Sequence, residues 1–149
     1  MSISISNAIR GVACAALLSV GLPAAANAAS GAYGAQGYGT TMYQTNWLYW
    51  GSVIQPVGSI PSTATLANIY WSIDSTSSIN YNSGKRYRIL HNNTSYMDVS
   101  NASGGTSAFT GLAANKPFQF GTYVTYPTTK VMSPYIYVGV ERITVNYNF

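Results

Sequence analysis

The chain has 149 residues, enough for one domain, and only 7% of them are charged, whereas soluble domains average about 25%. Its formal net charge of +4 reflects three carboxylates against seven cations. Of these cations only Lys85, Arg86 and Arg88 cluster, so the sequence argues against nucleic-acid binding. One His and three carboxylates also supply few groups for acid/base catalysis or metal ligation, so we expect a non-enzymatic protein without a cofactor or metal.

Residues 1–28 are predicted to be a secretory signal peptide. A short basic segment ends at Arg10, an apolar segment follows, and Ala26-Asn27-Ala28 has the small-x-small pattern that signal peptidase cleaves. The only cysteine, Cys14, lies in this segment, so the exported chain must fold without a disulfide. No later stretch reaches the roughly 18 apolar residues of a spanning helix, so no transmembrane helix is expected. The predicted location is the periplasm, with the extracellular space and the outer membrane as alternatives.

Residues 29–45 are rich in Gly, Ala and Tyr without any periodicity, and we expect a flexible arm there, before a single domain at 46–149. In that domain, short runs of β-branched and aromatic residues alternate with Ser, Asn, Gly and Pro, which predicts an all-β fold. The spacing of the turns is typical of an antiparallel β-sandwich of seven to eight strands. Strands are predicted at 46–57, 63–73, 85–91, 95–99, 106–110, 117–126, 130–138 and 141–149, with turns at 74–84, Asn92-Asn93 and 101–105.

The last strand shows the alternation most clearly, because Ile143, Val145 and Tyr147 share one face while Thr144 and Asn146 share the other. The apolar face of each strand should form the core. The predicted core residues are Leu66, Ile69, Trp71, Tyr87, Ile89, Phe109, Phe118, Phe120, Ile136, Val138, Ile143, Val145 and Tyr147.

Catalysis at His91 would require a carboxylate such as Asp74 or Asp98 to orient the imidazole, and no serine lies in a nucleophile elbow. Since His91 ends a strand beside an Asn-Asn turn, we expect a solvated, non-catalytic histidine there. The sequence therefore favours binding over chemistry.

Aromatic residues supply the candidate binding site. Exposed aromatic rings on a sheet stack on sugar rings or accept an apolar partner. Alternation would place Trp47 and Tyr49 on one face of a strand and Trp50 on the other. Arg86 and Arg88 share a face of the 85–91 strand and would dock an acidic partner, or form a solvated strand face. The predicted partner-binding residues are Trp47, Tyr49, Trp50, Arg86 and Arg88.

One long stretch carries more information than composition. Residues 103–120 read Ser-Gly-Gly-Thr-Ser-Ala-Phe-Thr-Gly-Leu-Ala-Ala-Asn-Lys-Pro-Phe-Gln-Phe. This block resembles the signature of the flagellar accessory protein FlhE family, in which a Ser-Gly-Thr-Thr turn leads into Ala-Phe-Ser-Gly-Ile-Ala-Ala and a Pro-Leu-x-Phe strand. Residues 143–147 are similar to the family's closing Val-Ile-Val-Asn-Tyr. Tyr70-Trp71 and residues 83–88 resemble its aromatic strand, Ser-Gly turn and Arg-x-Arg strand, so the resemblance covers residues 46–147.

The chain also departs from that pattern. It lacks the pair of cysteines that the family carries in the strand matched by residues 91–96, adds the Gly/Tyr-rich arm, and ends in Asn148-Phe149 where the family has a basic residue. These differences leave no disulfide to carry over and indicate a distant member.

The resemblance implies a periplasmic, non-enzymatic β-sandwich, similar to immunoglobulin-like domains, pilus chaperones and sugar-binding modules. Its partners would be flagellar basal-body or export components, and its proposed role is to limit proton leak through the flagellar export apparatus. The family has no catalytic residues to transfer. The residues alone leave three alternatives, namely a carbohydrate-binding module, a surface fibre subunit, and a small outer-membrane β-barrel closed by Val145, Tyr147 and Phe149.

Overall fold

A computed structural model of the chain describes residues 29–76 and 80–149, so the predicted signal peptide lies outside the described residues. Two antiparallel sheets pack face to face, and the predicted all-β sandwich is confirmed. Among the described residues, no helix is long and apolar enough to span a membrane. The strands are β1 (Ser30–Tyr38), β2 (Thr41–Gln44), β3 (Tyr49–Ile54), β4 (Thr65–Ser75), β5 (Lys85–His91), β6 (Ser95–Val99), β7 (Ser103–Thr106), β8 (Phe118–Val124) and β9 (Val131–Asn148), with a short 3₁₀ turn at Asn82–Gly84.

Strand β9 organises the five-stranded sheet, in which the order is β1-β9-β4-β7 and β2 also pairs with β9. The alternation read from the sequence appears directly in its register, because Val145 lies opposite Tyr33 of β1 and Ile69 of β4. The four-stranded sheet has the order β3-β8-β5-β6. Every strand pair in the two sheets is antiparallel.

The core lies between the sheets and contains the residues predicted from alternation, all of which are buried except Tyr147. Tyr147 is half-buried and packs against Tyr33, with ring centroids 6.3 Å apart. Sequence reasoning missed several core residues that lie in segments predicted to be arms, turns or strand ends, namely Tyr33, Met42, Ile54, Tyr81, Val124 and Met132.

The expectation of a flexible arm over residues 29–45 is wrong, because β1 and β2 add to the two ends of β9. The small residues serve close packing. A Cβ atom at Gly31 would lie 2.6 Å from the Tyr147 ring, and one at Gly39 would collide with Val138. These glycines are therefore not linker residues; they allow the strands to approach bulky side chains.

Three strand boundaries also differ from the prediction. The predicted turn at 101–105 contains β7, while 106–110, predicted as a strand, is mostly turn. Gly104 and Gly105 suit this strand because they lie under the rings of Trp71 and Tyr70 on β4. The strands predicted at 130–138 and 141–149 are one continuous strand, β9, with a register shift against β4 between Ile73 and Ser75. The predicted Asn92-Asn93 hairpin is confirmed, with both φ angles positive, 49° and 56°.

Candidate binding face

The outer face of the four-stranded sheet carries most of the predicted binding residues. In β5 the side chains of Tyr87, Ile89 and His91 point into the core, so Arg86 and Arg88 point outward. Arg86 lies opposite Tyr123 of β8. We call this outward surface the aromatic face; it consists of Trp47, Leu48, Trp50, Arg86, Arg88, Tyr96, Asp98 and Tyr123.

Gly121 brings Trp50 and Arg88 to the same part of this face. It lies opposite Trp50 of β3 on one side and opposite Arg88 of β5 on the other. A Cβ atom at Gly121 would lie 2.8 Å from Leu48 Cδ1 and 3.0 Å from Trp50 Cε3. The indole of Trp50 can therefore pack over Gly121 because residue 121 has no side chain.

Arg88 is held rigidly by two neighbours on β6. Its Nε and Nη2 donate hydrogen bonds of 2.7 and 2.8 Å to the two carboxylate oxygens of Asp98, and its guanidinium lies 4.2 Å from the centroid of the Tyr96 ring. The hydrogen bonds from Arg88 lower the pKa of Asp98 and raise the pKa of Arg88. Since both side chains are partly exposed, the ion pair adds at most about 1 kcal/mol of stability. Its main effect is to fix a planar cation on the surface.

Trp47 lies in the turn before β3 and is 58% exposed. Asn46 fixes this turn: its φ is 58°, its side-chain amide donates to the carbonyl of Tyr126 at 2.8 Å, and its side-chain oxygen accepts the Tyr126 N–H at 2.9 Å. Beside Trp47 is a shallow hollow of about 300 Å³. The hollow is lined by Asn46, Trp47, Leu48, Arg88, Tyr123 and Thr125.

The structure therefore brings together Trp47, Trp50, Arg86 and Arg88, but not Tyr49. Tyr49 is half-buried on the opposite face, where its hydroxyl accepts the Gln44 N–H at 3.0 Å. The expected pairing of Trp47 with Tyr49 is wrong because Trp47 precedes the strand, where strand alternation does not apply. Sequence reasoning missed Tyr96 and Tyr123, although each alternates with inward residues of a predicted strand.

Lys85 does not belong to the cationic patch. It points inward, where its amine donates to Ser75 Oγ at 3.1 Å and to the Thr76 carbonyl at 3.0 Å, and burial lowers its pKa. Arg86 folds back, and its Nη1 donates to the carbonyls of Ser83 and Lys85. These acceptors are neutral carbonyls, so the positive charge of Arg86 remains available on the aromatic face.

His91 is a core residue, so the expectation of a solvated histidine at this strand end is wrong. It is buried, its Nε2 lies 3.0 Å from the Ala113 carbonyl, and burial lowers its pKa. The carboxylates considered as partners are engaged elsewhere, Asp98 with Arg88 and Asp74 with Arg142 at 2.9 Å. Within the described ranges, no three His, Cys, Asp or Glu side chains come close enough to hold a metal ion.

The family model for flagellar protein FlhE matches residues 39–148. The chain belongs to the FlhE family. The resemblance in the 103–120 block is thus confirmed, and the protein is flagellum-associated. The match begins at residue 39, so all of β1 precedes it.

A solved structure of the same family shares the fold. The crystal structure of FLHE aligns with a TM-score of 0.72 at 20% identity, covering 82% of this chain and all of that one. No curated protein matches the sequence. At this identity the alignment supports the two-sheet architecture and no residue-level role.

Proposed function

We propose that this FlhE-family chain is a non-enzymatic periplasmic protein that binds a component of the flagellar basal body or export apparatus through its aromatic face. Family membership supports the flagellar context, and the predicted signal peptide supports export. In this role, binding of the protein to its partner would limit proton leak through the export apparatus.

The observation that carries the proposal is the composition of the aromatic face. Trp, Tyr and Arg are the residues that contribute most to protein interfaces, and they work best when fixed before binding. Here Trp50 lies against Gly121, Trp47 is in a turn fixed by Asn46, and Arg88 is held by Asp98. A partner would therefore lose little side-chain entropy from this protein on binding.

The charge of the face indicates the chemistry of the partner. Asp98 neutralises Arg88. The hydrogen bonds from Arg86 described above go to backbone carbonyls, which carry no negative charge to neutralise it. The face is thus apolar and aromatic with net positive charge, which suits a partner segment that combines an apolar side chain with a carboxylate.

Deletion and complementation test this proposal. We expect deletion of the gene to alter swimming or flagellum number, and the wild-type gene to restore both. The double variant Trp47→Ala/Trp50→Ala should fail to restore them, because it removes the two exposed indoles. Tyr70→Ala is the matched control, since the exposure of Tyr70, 51%, lies between those of Trp47 and Trp50 and Tyr70 is on the other sheet. All variants should be recovered in the osmotic-shock fraction, shortened by the signal peptide.

Two results would contradict the proposal. Unchanged swimming and flagellum number on deletion would remove the flagellar role. Full restoration by the double Trp variant would remove the aromatic face from it.

A polysaccharide is a second candidate ligand, favoured by the exposed Trp47 beside a hollow that also presents the polar groups of Thr125 and Arg88. Sugar rings stack on exposed indoles in this manner. Retention of the protein on a polysaccharide resin, lost on Trp47→Ala and kept on Tyr70→Ala, would support this ligand over a protein.

A further inference from the structure

Strand β6 is the outer strand of the four-stranded sheet. It pairs with β5 from His91 opposite Ser95 to Tyr87 opposite Val99, and the register is continuous over all five pairs. Within residues 29–76 and 80–149, no strand pairs with its other side. Alternate backbone N–H and C=O groups of β6 therefore point away from the sheet, which makes the strand a template for pairing.

The sequence of β6 lacks the devices that usually protect such an edge. Native edge strands carry Lys, Pro, a bulge or a charge that points inward. β6 reads Ser-Tyr-Met-Asp-Val, and its one charged residue, Asp98, points outward and is neutralised by Arg88. The opposite edge of the sheet differs: β3 has a register shift between Trp50 and Val53, and its Ser52 Oγ accepts the Tyr38 N–H of β1 at 2.7 Å.

The inner side of β6 is also incompletely covered. Met97 and Val99 point toward the core and pack against it, but both remain partly exposed. A strand added at this edge would bury the exposed parts of these two apolar side chains and would also pair with the free backbone groups of β6. Both changes favour association.

We propose that β6 pairs antiparallel with β6 of a second copy of this chain, joining two four-stranded sheets into one. Residues directly opposite in an antiparallel pair point to the same face of the sheet. The two-fold axis must therefore lie midway between the two copies of one β6 residue, so that this residue is opposite itself. An axis at Met97 places Tyr96 opposite Asp98 of the second copy and pairs all five residues. An axis at Asp98 would place two carboxylates opposite each other.

The Met97 register also suits the side chains on both faces. On the inner face, the two Met97 side chains cover each other and Val99 lies opposite Ser95 of the second copy. On the outer face, each Tyr96 hydroxyl faces the Asp98 of the other copy, beside the Arg88 that already holds its own Asp98. The two aromatic faces become continuous across the axis, so the pair presents the binding surface twice.

The expected pair is weak. Five residues at a sheet edge bury less than the roughly 800 Å² per partner of a standard stable interface. We therefore expect a concentration-dependent equilibrium between one and two chains in sedimentation experiments.

Cysteine cross-linking of the full chain tests both the pairing and its register. In a Cys14→Ser background, Met97→Cys should form a disulfide-linked dimer under a mild oxidant, because the two positions lie opposite each other at about 4.5–5.5 Å between Cα atoms. Tyr96→Cys should cross-link far less, since position 96 lies opposite position 98 of the second copy, two residues away from position 96 of that copy. Thr144→Cys, exposed on the other sheet, gives the rate of random collision.

We expect Met97→Cys to cross-link at least tenfold faster than Thr144→Cys. In sedimentation, Val99→Lys, which introduces an inward charge at the edge, should shift the wild-type equilibrium to single chains with an unchanged far-ultraviolet spectrum. Equal rates for Met97→Cys and Thr144→Cys, or a single-chain mass at every concentration, would overturn the proposal. Faster cross-linking of Tyr96→Cys would overturn the register. Because these measurements use purified protein, their outcome does not depend on a flagellar role.

Discussion

The free energy of unfolding is expected to fall as the pH rises toward 8, because the core contains an unpaired carboxyl group. Glu141 of β9 is 1% exposed, and its Oε2 has no hydrogen-bond partner. It lies opposite Gly37 of β1 and Ile73 of β4, and a Cβ atom at Gly51 of β3 would collide with it. Burial raises the pKa of this carboxyl group to about 8.

The direction of the effect follows from the two pKa values. An unfolded glutamate has a pKa of about 4.3, well below that of the folded chain. Between these values the folded state holds a proton that the unfolded state has released. The contribution of Glu141 to the free energy of unfolding is therefore greatest below about pH 4.3. Above that pH it falls by up to about 1.4 kcal/mol per pH unit, until the folded group also ionises.

The other inward titratable groups determine the range in which to measure. Burial lowers the pKa of His91, which makes stability fall as the pH drops below about 6.5 and adds no slope above it. The pKa of Tyr33 is raised to about 12 and that of Tyr87 is also raised, so both stay neutral. Tyr49 also lies on the inner side, and Lys85 donates to Ser75 Oγ, two residues along β4 from Ile73. Burial lowers the pKa of Lys85 from its ordinary value of 10.5, so any slope from Lys85 has the opposite sign, with stability rising as the pH rises. A fall in stability between about pH 6.5 and 8 is therefore assigned to Glu141.

Chemical denaturation at several pH values in this interval measures the slope. Glu141→Gln should abolish it, and Glu141→Met should abolish it and also raise stability at pH 8, because the unpaired carboxyl group is then removed from the core. Asp74→Asn is the matched control, since this carboxylate is exposed beside Arg142 and should leave the slope intact. A slope that persists in Glu141→Gln would show that another group carries the proton.

The parts of the fold that could be predicted are those where local periodicity and tertiary burial agree. Strand β5 alternates strictly, so the outward direction of Arg86 and Arg88 followed from the sequence. The first strands could not be predicted, because Gly and Ala have no side-chain pattern and acquire a strand conformation only by packing on β9. Local strand propensity therefore did not predict these strands, because their conformation depends on tertiary contacts.

The candidate site was predictable in composition more than in geometry. Trp47 and Trp50 reach the same face because one lies in the turn fixed by Asn46 and the other lies on Gly121, and both facts depend on long-range contacts. Alternation would have placed Glu141 on the same face as Ile143 and Val145. A carboxylate among core residues, however, contradicts the usual polarity of the interior, so the pattern alone did not reveal it.

The largest loss of stability from one side chain is expected at Phe118, which joins two parts of the core. It is 1% exposed, and its ring centroid lies 4.7 Å from that of His91 and 5.9 Å from that of Phe109, which it meets nearly edge-on at 87°. Phe118→Ala should lower the free energy of unfolding by about 3–5 kcal/mol through lost burial and the cavity left behind. Phe118→Leu, which keeps most of the volume, should lose about half as much or less.

Phe118→Ala should also change the pKa of His91. This measurement distinguishes a cavity beside the imidazole from a general loosening of the fold. The chain has one histidine, so its ring resonance can be followed without assignment of others. The Phe118 ring shields the imidazole from water, and burial is the main cause that lowers its pKa. In Phe118→Ala the His91 pKa should rise toward about 6.5. Phe149→Ala, at an exposed position, should leave both quantities unchanged. A destabilised Phe118→Ala with an unmoved His91 pKa would mean that the cavity collapses and the imidazole stays dry.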